Sequence, residues 1–260
     1  MIGIIGSNGT LGKILREKLA SLDIEFAEFK GDILNEESIN LWIKSNEFTS
    51  LFHLAAIVPI NEVEKNKHKT FKVNVQGTQN IVNALMEYDK NPWIFYASTS
   101  HIYNYSKKPL SEKNRANPIN YYGYTKFLGE EVLSFYKKKI NSKVCIGRIF
   151  SFYHSSQKIP FLYPSLKEKL KNIDKKTIEI YGSKNIRDIS RAEEIIEIIY
   201  QLFLRKYKGT INIGSGKGIS IEQFTKLISN QTNLIVKDIE KYEPNKLVAD
   251  ISKLKKILNV

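Results

Sequence analysis

The chain opens on a short apolar run, Ile2 to Ile5, that passes directly into Gly6-Ser7-Asn8-Gly9-Thr10-Leu11-Gly12, after which Leu11, Ile14, Leu15, Leu19 and Leu22 recur at helical spacing. A buried strand, a glycine turn and a helix in that order leave little choice of fold. The glycines allow a tight bend, let backbone N–H groups approach a diphosphate and let the helix pack closely on the strand, with the helix N-terminus facing the negative charge. Gly214-Ser215-Gly216-Lys217-Gly218 is also rich in glycine and also precedes a helix, but it opens no run of strand–helix units. Lys217 follows Gly214 too closely for a P-loop. The first stretch is therefore read as a dinucleotide-binding turn.

The alternation continues. Ile24 to Phe29 reads as a second strand, Ile39, Trp42 and Ile43 mark a short helix, and Leu51 to Ala56 is a third strand. Phe71, Val75, Thr78, Val82 and Leu85 fall on one stripe of a long helix, and Trp93 to Ala97 is a strand. Leu128, Val132 and Phe135 make another helix stripe, and Val144 to Ile149 another strand. Strands separated by helices need crossover connections, so the expected fold is α/β, a Rossmann-type doubly wound parallel sheet. Beyond residue 150 the alternation loosens, with Pro160 and Pro164 interrupting the chain ahead of an amphipathic segment around Leu166 and Leu170. The expected division is a dinucleotide-binding domain over 1–150 and a smaller, mostly C-terminal substrate lobe over 151–260, with about 186–214 returning to the first domain. Ile195, Ile196, Ile199, Leu202 and Phe203 form a helix stripe there, and Thr210 to Ile213 a strand; Ser220 and Gln223 have the spacing of a capping box. The lysine runs at 137–139 and 175–176 read as solvated helix ends or turns.

Composition removes several classes. With 260 residues, 42% hydrophobic and 26% charged, the chain suits a globular protein with a substantial core. The single cysteine, Cys145, cannot form an intramolecular disulfide, and His53, His68, His101 and His154 lack zinc-ligand spacing, so no metal is expected. The net charge of +13 raises the question of nucleic acid. The basic residues are 34 Lys and 6 Arg spread along the chain, whereas base-edge readout favours Arg. A solvated lysine-biased surface, or a basic cleft for a phosphorylated small molecule, accounts for the charge, and no nucleic-acid partner is expected. No basic n-region or cleavage site precedes the first strand, and no apolar run approaches the ~20 residues that cross a bilayer. The expectation is a cytoplasmic protein without a membrane partner.

Asp32 lies 20 residues past Gly12, the interval at which an acid often binds the adenosine ribose; it also follows Gly31, and Gly-Asp is a turn-forming pair. The second strand ends in Phe29-Lys30 rather than in an acid, which places Lys30 to meet a 2′-phosphate, while Glu28 argues weakly the other way. NADP(H) is preferred over NAD(H) on that basis. Tyr122 and Lys126 are an i, i+4 pair and project from one helix face. Roughly two Tyr-x-x-x-Lys pairs are expected by chance, and the chain has four, at Tyr103, Tyr122, Tyr163 and Tyr242. Context selects Tyr122: it follows the hydroxyl cluster Ser98-Thr99-Ser100 at a strand's carboxyl end, outside which ligands bind in parallel sheets.

In order, Gly6-x-x-Gly9-x-x-Gly12, Gly31-Asp32-Ile33, His53-Leu54-Ala55-Ala56, Asn74-Val75-x-Gly77-Thr78, Ser98-Thr99-x-x-x-Tyr103 and Tyr122-Gly123-x-Thr125-Lys126 run along the chain, followed by Arg148, Arg187-Asp188 and Asn212-Ile213-Gly214-Ser215-Gly216. This series resembles the extended short-chain dehydrogenase/reductases, the nucleotide-sugar-modifying epimerase/dehydratase branch, over nearly the whole length. The resemblance implies hydride transfer at a sugar carbon with Thr99, Tyr122 and Lys126 as the catalytic set. Tyr122 exchanges a proton with the alcohol or ketone oxygen, Thr99 hydrogen-bonds that oxygen with Ser98 as the alternative, and Lys126 holds the nicotinamide ribose. An adjacent ammonium and an oxidised nicotinamide are expected to bring the phenol down from about 10 towards the working pH. The implied cofactor contacts are Gly6, Asn8, Gly9, Thr10, Leu11, Gly12, Lys30, Asp32, Ile33, Leu54, Ala55, Ala56, Asn74, Ser98, Tyr122, Lys126 and Phe150, with Asp32 moved from the ribose to the adenine. The implied substrate contacts are Thr99, Ser100, His101, Tyr122 and Arg187. For Arg187 the substrate diphosphate competes with a surface ion pair to Asp188, and for His101 an acid–base or hydrogen-bonding role competes with a packed loop histidine.

The resemblance also narrows the reaction. The branch's 4,6-dehydratases carry Asp and Glu where this chain has Ser100 and His101, and the reductase-epimerase that makes GDP-fucose carries Cys at 101 and His where Phe161 stands. Dehydration and double epimerisation are therefore disfavoured. The short connection from the second strand to Gly31-Asp32, together with Lys30, is similar to 4-ketoreductases such as dTDP-4-dehydrorhamnose reductase. The preferred reading is reduction of a 4-keto nucleotide-sugar; the alternatives are a 4-epimerase that retains NAD and, more distantly, a non-catalytic NADP(H)-binding protein. Relatives pair through the helices around Phe71–Leu85 and Tyr122–Phe135, which implies a homodimer.

Overall fold

A computed structural model describes residues 1–136, 143–171, 177–229, 233–239 and 241–260. The lysine runs at 137–139 and 175–176 lie outside the described residues. The chain begins β1 (Ile2–Ile5), α1 (Thr10–Ser21), β2 (Phe26–Phe29), α2 (Glu36–Lys44), β3 (Ser50–His53), α3 (Ile60–Lys65) and α4 (Lys67–Phe71). A π-helical turn over Lys72–Gln76 joins α4 to α5 (Gly77–Glu87), followed by β4 (Trp93–Thr99), a 3-10 turn at Ser100–Ile102, α6 (Tyr121–Tyr136), β5 (Val144–Ile149) and β6 (Ser151–Tyr153). The remainder is α7 (Leu162–Lys171), β7 (Thr177–Ile180), β8 (Ile186–Arg191), α8 (Ala192–Leu204), β9 (Gly209–Ile213), β10 (Gly218–Ser220), α9 (Ile221–Ser229), β11 (Ile235–Asp238), β12 (Lys246–Leu247) and α10 (Ser252–Leu258).

Six strands form one all-parallel sheet in the order β2-β1-β3-β4-β5-β9. β1, β3 and β5 are buried at every residue, as strands covered on both faces must be. Ile14, Leu15 and Leu19 of α1, Ile195 and Ile199 of α8 and Leu254 of α10 form a core on one face; Ile39 and Ile43 of α2, Ile81 and Leu85 of α5 and Leu133 of α6 form a second. This is the doubly wound Rossmann-type sheet that the alternation predicts. The chain steps from β1 outward to β2 and then back past β1 to β3, so the crossover direction reverses between β1 and β3, where such sheets bind ligands.

After β5 the chain builds a second, smaller sheet on β8, which pairs with β6, β10 and β12. β7 and β11 form a parallel pair over a third core of Leu166, Ile178, Ile180, Ile221 and Phe224. β8 lies outside the six-stranded sheet, whereas α8 packs on its face and β9 completes its edge. Among the described residues no helix is long and apolar enough to cross a membrane.

Several sequence expectations change. On α6 the buried face carries Tyr122, Thr125, Lys126, Gly129, Glu130 and Leu133, while Phe135 is 59% exposed and Leu128 and Val132 are half-buried. The apolar stripe was the wrong face because polar residues occupy the inward one. Leu22 and Phe71 are exposed rather than on their stripes. The third strand ends at His53, and Leu54 to Ala56 continue as loop. The long helix is interrupted by the π turn around Asn74. Pro164 stands in the first turn of α7, where a missing N–H costs nothing, instead of preceding the helix. The Ser220/Gln223 box is formed, each side chain bonded to the other's backbone N–H.

Candidate active site

The loops that leave the carboxyl ends of β1, β3, β4 and β5 enclose a cleft of about 1030 Å³. Gly6, Asn8, Gly9, Thr10, Leu11 and Gly12 line one part, Leu54 and Ala56 the floor between β1 and β3, and Ser98, Thr99, Ser100, His101, Tyr122 and Phe150 the other side. Fourteen expected site residues thus meet at one opening. The cleft extends over Val58 to Asn61 and under Ser156 to Tyr163, bounded by Tyr153, Ile189 and Phe224.

The glycine turn fits a diphosphate. Gly6 has φ +90°, and a Cβ there would lie 2.4 Å from the Ala55 nitrogen; a Cβ on Gly12 would lie 2.3 Å from the Gly6 carbonyl. A Cβ on Gly9 would touch only the Gly6 oxygen at 3.5 Å and would otherwise project into open space. Gly9 caps α1 without a side-chain hydrogen bond, and the first turn of the helix carries no acid. The leading N–H groups of a 12-residue helix therefore face the cleft with their partial positive charge.

At the opposite side Thr99 Oγ1 accepts from the His101 N–H at 3.2 Å, and its hydroxyl stands beside the Tyr122 phenol. Burial pushes Tyr122 up to about 12, with the Thr99 hydroxyl opposing the shift. In the free protein, with no nicotinamide bound, burial outweighs the lowering expected from Lys126. The lysine is 1% exposed, with its ammonium 4.0 Å from the Tyr96 ring centroid, and burial pushes it down to about 7 while Glu130 opposes the shift. Desolvation thus outweighs the neighbouring charge, and the phenol of the free protein stays protonated. Ser98 Oγ is buried without a hydrogen-bond partner.

Seven expected residues lie outside the cleft lining. Lys30 and Asp32 are exposed beyond β2, and Asp32 Oδ1 accepts from the Leu34 N–H at 2.9 Å in a local turn. Ile33 is buried, and Ala55 backs onto Gly6. Asn74 clamps the loop after β3, accepting from the Ile57 N–H at 2.8 Å and donating to its carbonyl at 3.0 Å, with a further bond to Thr125 Oγ1. Lys126 is buried against Tyr96, although its ammonium is not sealed from solvent. Arg187 stacks on Tyr105 at 5.4 Å and donates to the Ile186 and Asn245 carbonyls.

The Arg187–Asp188 ion pair is not formed. Asp188 is 0% exposed and accepts from Ser215 N and Oγ, Gly216 N and Ala249 N. The second glycine-rich stretch is therefore a turn folded around a buried carboxylate, and Arg187 has no carboxylate partner among the described residues.

Sequence reasoning did not single out Glu130, Tyr96 or Asn120. Glu130 takes three hydrogen bonds from Arg148, whose Nη1 donates to Tyr103 Oη, which donates to Asn212 Oδ1 at 2.7 Å. This buried chain joins α6, β5, the loop after β4 and β9 beneath the cleft. Asn120 could have been found as a helix cap ahead of Tyr121; Glu130 and Tyr96 leave no signal in a single sequence.

Comparison with known proteins agrees with this fold. The chain is 27% identical over 217 residues to a Bacillus subtilis protein named as an uncharacterized UDP-glucose epimerase, YtcB, covering 80% of this chain and 68% of that one. Its fold matches RMD from Pseudomonas aeruginosa, complexed with NADPH, at a TM-score of 0.89 with 20% identity, covering 99% of this chain and 92% of that one. It also matches the UDP-glucose 4-epimerase of Thermotoga maritima, with UDP-glucose, at 0.85 and 20% identity, covering 98% and 91%. A family model described as GDP-mannose 4,6 dehydratase matches residues 6–259, and the chain belongs to that family of extended short-chain dehydrogenase/reductases.

Proposed function

We propose that the protein reduces a 4-keto nucleotide-sugar with NAD(P)H, Tyr122 supplying the proton. The observation that carries this reading is the placing of the Tyr122 phenol beside Thr99 in the wall of the cleft, across from the glycine turn. A group that delivers a proton to a ketone must hold it beforehand, and burial keeps it there. The bound nicotinamide supplies the hydride. Thr99 donates its hydroxyl hydrogen to the same oxygen while Oγ1 accepts the His101 N–H. Lys126 holds the nicotinamide ribose, and the N–H groups of Thr10 to Gly12 take the diphosphate.

NADP(H) is the preferred cofactor. Glu28, the acid nearest the end of β2, lies beside the Ser7 hydroxyl and takes a hydrogen bond from Arg16 at 2.7 Å, which together hold its carboxyl below the usual range. Lys30 beyond it is exposed and free to meet a 2′-phosphate. Arg187 serves the substrate diphosphate, residues 1–150 with α8 and β9 carry the cofactor, and the sheet around β8 carries the substrate. The helices around Phe71–Leu85 and Tyr122–Phe135, on which Phe71 and Tyr124 are exposed, form the surface of a homodimer.

A second reading is 4-epimerisation with retained NAD. The names of the Bacillus and Thermotoga proteins favour it, and the same Thr99, Tyr122 and Lys126 serve both reactions. Incubation with UDP-, dTDP- and GDP-linked 4-keto-sugars plus NADPH separates them. Loss of NADPH absorbance with a product heavier by two hydrogens supports reduction. An isomer formed from a UDP-hexose without added coenzyme supports epimerisation and refutes the preferred reading.

A further inference from the structure

The hydrogen bonds at the start of α6 determine which nitrogen of His101 carries the proton. Asn120 caps the helix: its Oδ1 accepts from the Gly123 N–H at 2.8 Å. An amide whose oxygen is held on one side presents its NH2 on the other, and Nδ2 of Asn120 lies 2.9 Å from His101 Nδ1. The NH2 group only donates, so Nδ1 accepts through its lone pair, and a neutral imidazole that accepts there carries its hydrogen on Nε2. The main chain fixes the residue as well, with its N–H on Thr99 Oγ1 and its carbonyl accepting from the Ile119 N–H at 3.1 Å. Nε2 has no partner among the described residues and is not sealed from solvent, and the ring lines the cleft edge-on to Tyr122, 5.7 Å between centroids.

We propose that His101 is a permanent N–H donor at the sugar end of the cleft, set in that tautomer by Asn120, and that it selects substrate by donating to a sugar oxygen instead of removing a proton from carbon. This rests on the reading of the cleft as a nucleotide-sugar site. The groups facing the ring agree with it. Arg187 from β8 is a cation, Tyr122 from α6 is an uncharged phenol, and Asn120 offers only hydrogens. Burial and the Arg187 charge push the imidazole down to about 4, so it is neutral at physiological pH. A base would need a lone pair aimed at the substrate, and the one that His101 has points at Asn120. The ligand that fits is a sugar presenting a hydroxyl or carbonyl oxygen beside the carbon that is reduced, with the configuration of the flanking carbons left unchanged.

The test uses the full chain labelled with ¹⁵N-histidine. There are four histidines, and His101→Gln assigns the signal of interest by its loss. At neutral pH without ligand, wild type is expected to show protonated Nε2 and bare Nδ1. Asn120→Asp keeps an oxygen on the Gly123 N–H and places an acceptor opposite Nδ1, so the proton moves to Nδ1. A wild-type ring protonated on Nδ1, or on both nitrogens, overturns the proposal.

With UDP-4-keto-6-deoxyglucose and NADPH, His101→Gln, which retains an N–H, is expected to keep KM within about threefold, whereas Asn120→Asp raises KM about tenfold with kcat little changed, as for one lost hydrogen bond. Product formed in D2O carries no enzyme-dependent deuterium at the carbons flanking the carbonyl; its incorporation, abolished by His101→Gln, overturns the proposal. If no 4-keto-sugar is turned over, the proposed function fails, and the tautomer measurement still decides the role of His101.

Discussion

Replacing Lys126 by methionine is expected to change the pH dependence of stability in a defined way. The ammonium is buried against Tyr96, and the carboxylate one turn further along α6, Glu130, is already committed to Arg148. Burial moves the lysine from 10.5 down to about 7. In the unfolded chain it stays protonated up to its ordinary value. Between about pH 7 and 10.5 the unfolded state therefore binds more protons than the folded one, and the stability attributable to this residue rises with pH through that window. Below pH 7 both states hold the proton, and the penalty for burying the charge is at its largest.

At about 1.4 kcal/mol per unit, raising the pH from about 7.5 to about 9.5 stabilises wild type by roughly 2.5 kcal/mol relative to a protein with no ionisable group at 126. For a chain of this length that corresponds to roughly 5–10 °C in Tm. Urea unfolding of wild type and Lys126→Met across this range isolates the effect, because groups that do not feel Lys126 cancel in the difference and His53, which does, is neutral throughout. The variant is expected to be the more stable protein at about pH 6.5, with its advantage shrinking steadily above pH 7. Parallel stability curves would refute the account of Lys126 as a buried, poorly compensated cation.

Tyr122→Phe should abolish turnover while NADPH still quenches protein fluorescence; unchanged turnover removes the phenol from the mechanism. Lys30→Ala should weaken NADPH binding about tenfold and NADH binding little, and equal losses in a fluorescence titration would sink the 2′-phosphate assignment. Glu130→Ala leaves the Arg148 guanidinium buried without its carboxylate and should destabilise the fold by about 3–5 kcal/mol in urea unfolding, with a loss below 1 kcal/mol counting against the buried network. Light scattering should give twice the mass of the chain, 30.0 kDa, and a monomer would exclude the pairing through α4 and α6.

The sheet was legible because its strands are buried on both faces and read as short apolar runs: Ile2–Ile5 and Val144–Ile149 fall where hydrophobicity alone puts them. The cleft lining was legible wherever it follows a strand's carboxyl end, as at Gly6 and at Ser98 to His101. What failed was the inward face of α6, since Lys126 and Glu130 look like surface residues in any pattern that equates burial with apolarity. Ionisation also failed to follow from proximity. Sequence spacing puts Lys126 one turn from Tyr122, but only burial reveals that the lysine loses much of its charge and that the phenol keeps its proton. Asp188 and Arg187 are adjacent in sequence, yet alternation along β8 sends one carboxylate inward and the other side chain towards Tyr105.

The way Asp188 is used bears on how the two sheets are joined. One carboxylate ties β8 to the turn after β9 and to the stretch following β12, so tilting the small sheet away from the large one would leave a charge stranded in apolar surroundings. Hinging between the two sheets is thereby opposed. The segment from His154 to Phe161 is secured differently: its hydrogen bonds run largely among its own residues, and its ion pair reaches Glu193 only at 3.6 Å. The rim formed by this segment is therefore tied to the rest of the fold by fewer bonds than β8 is.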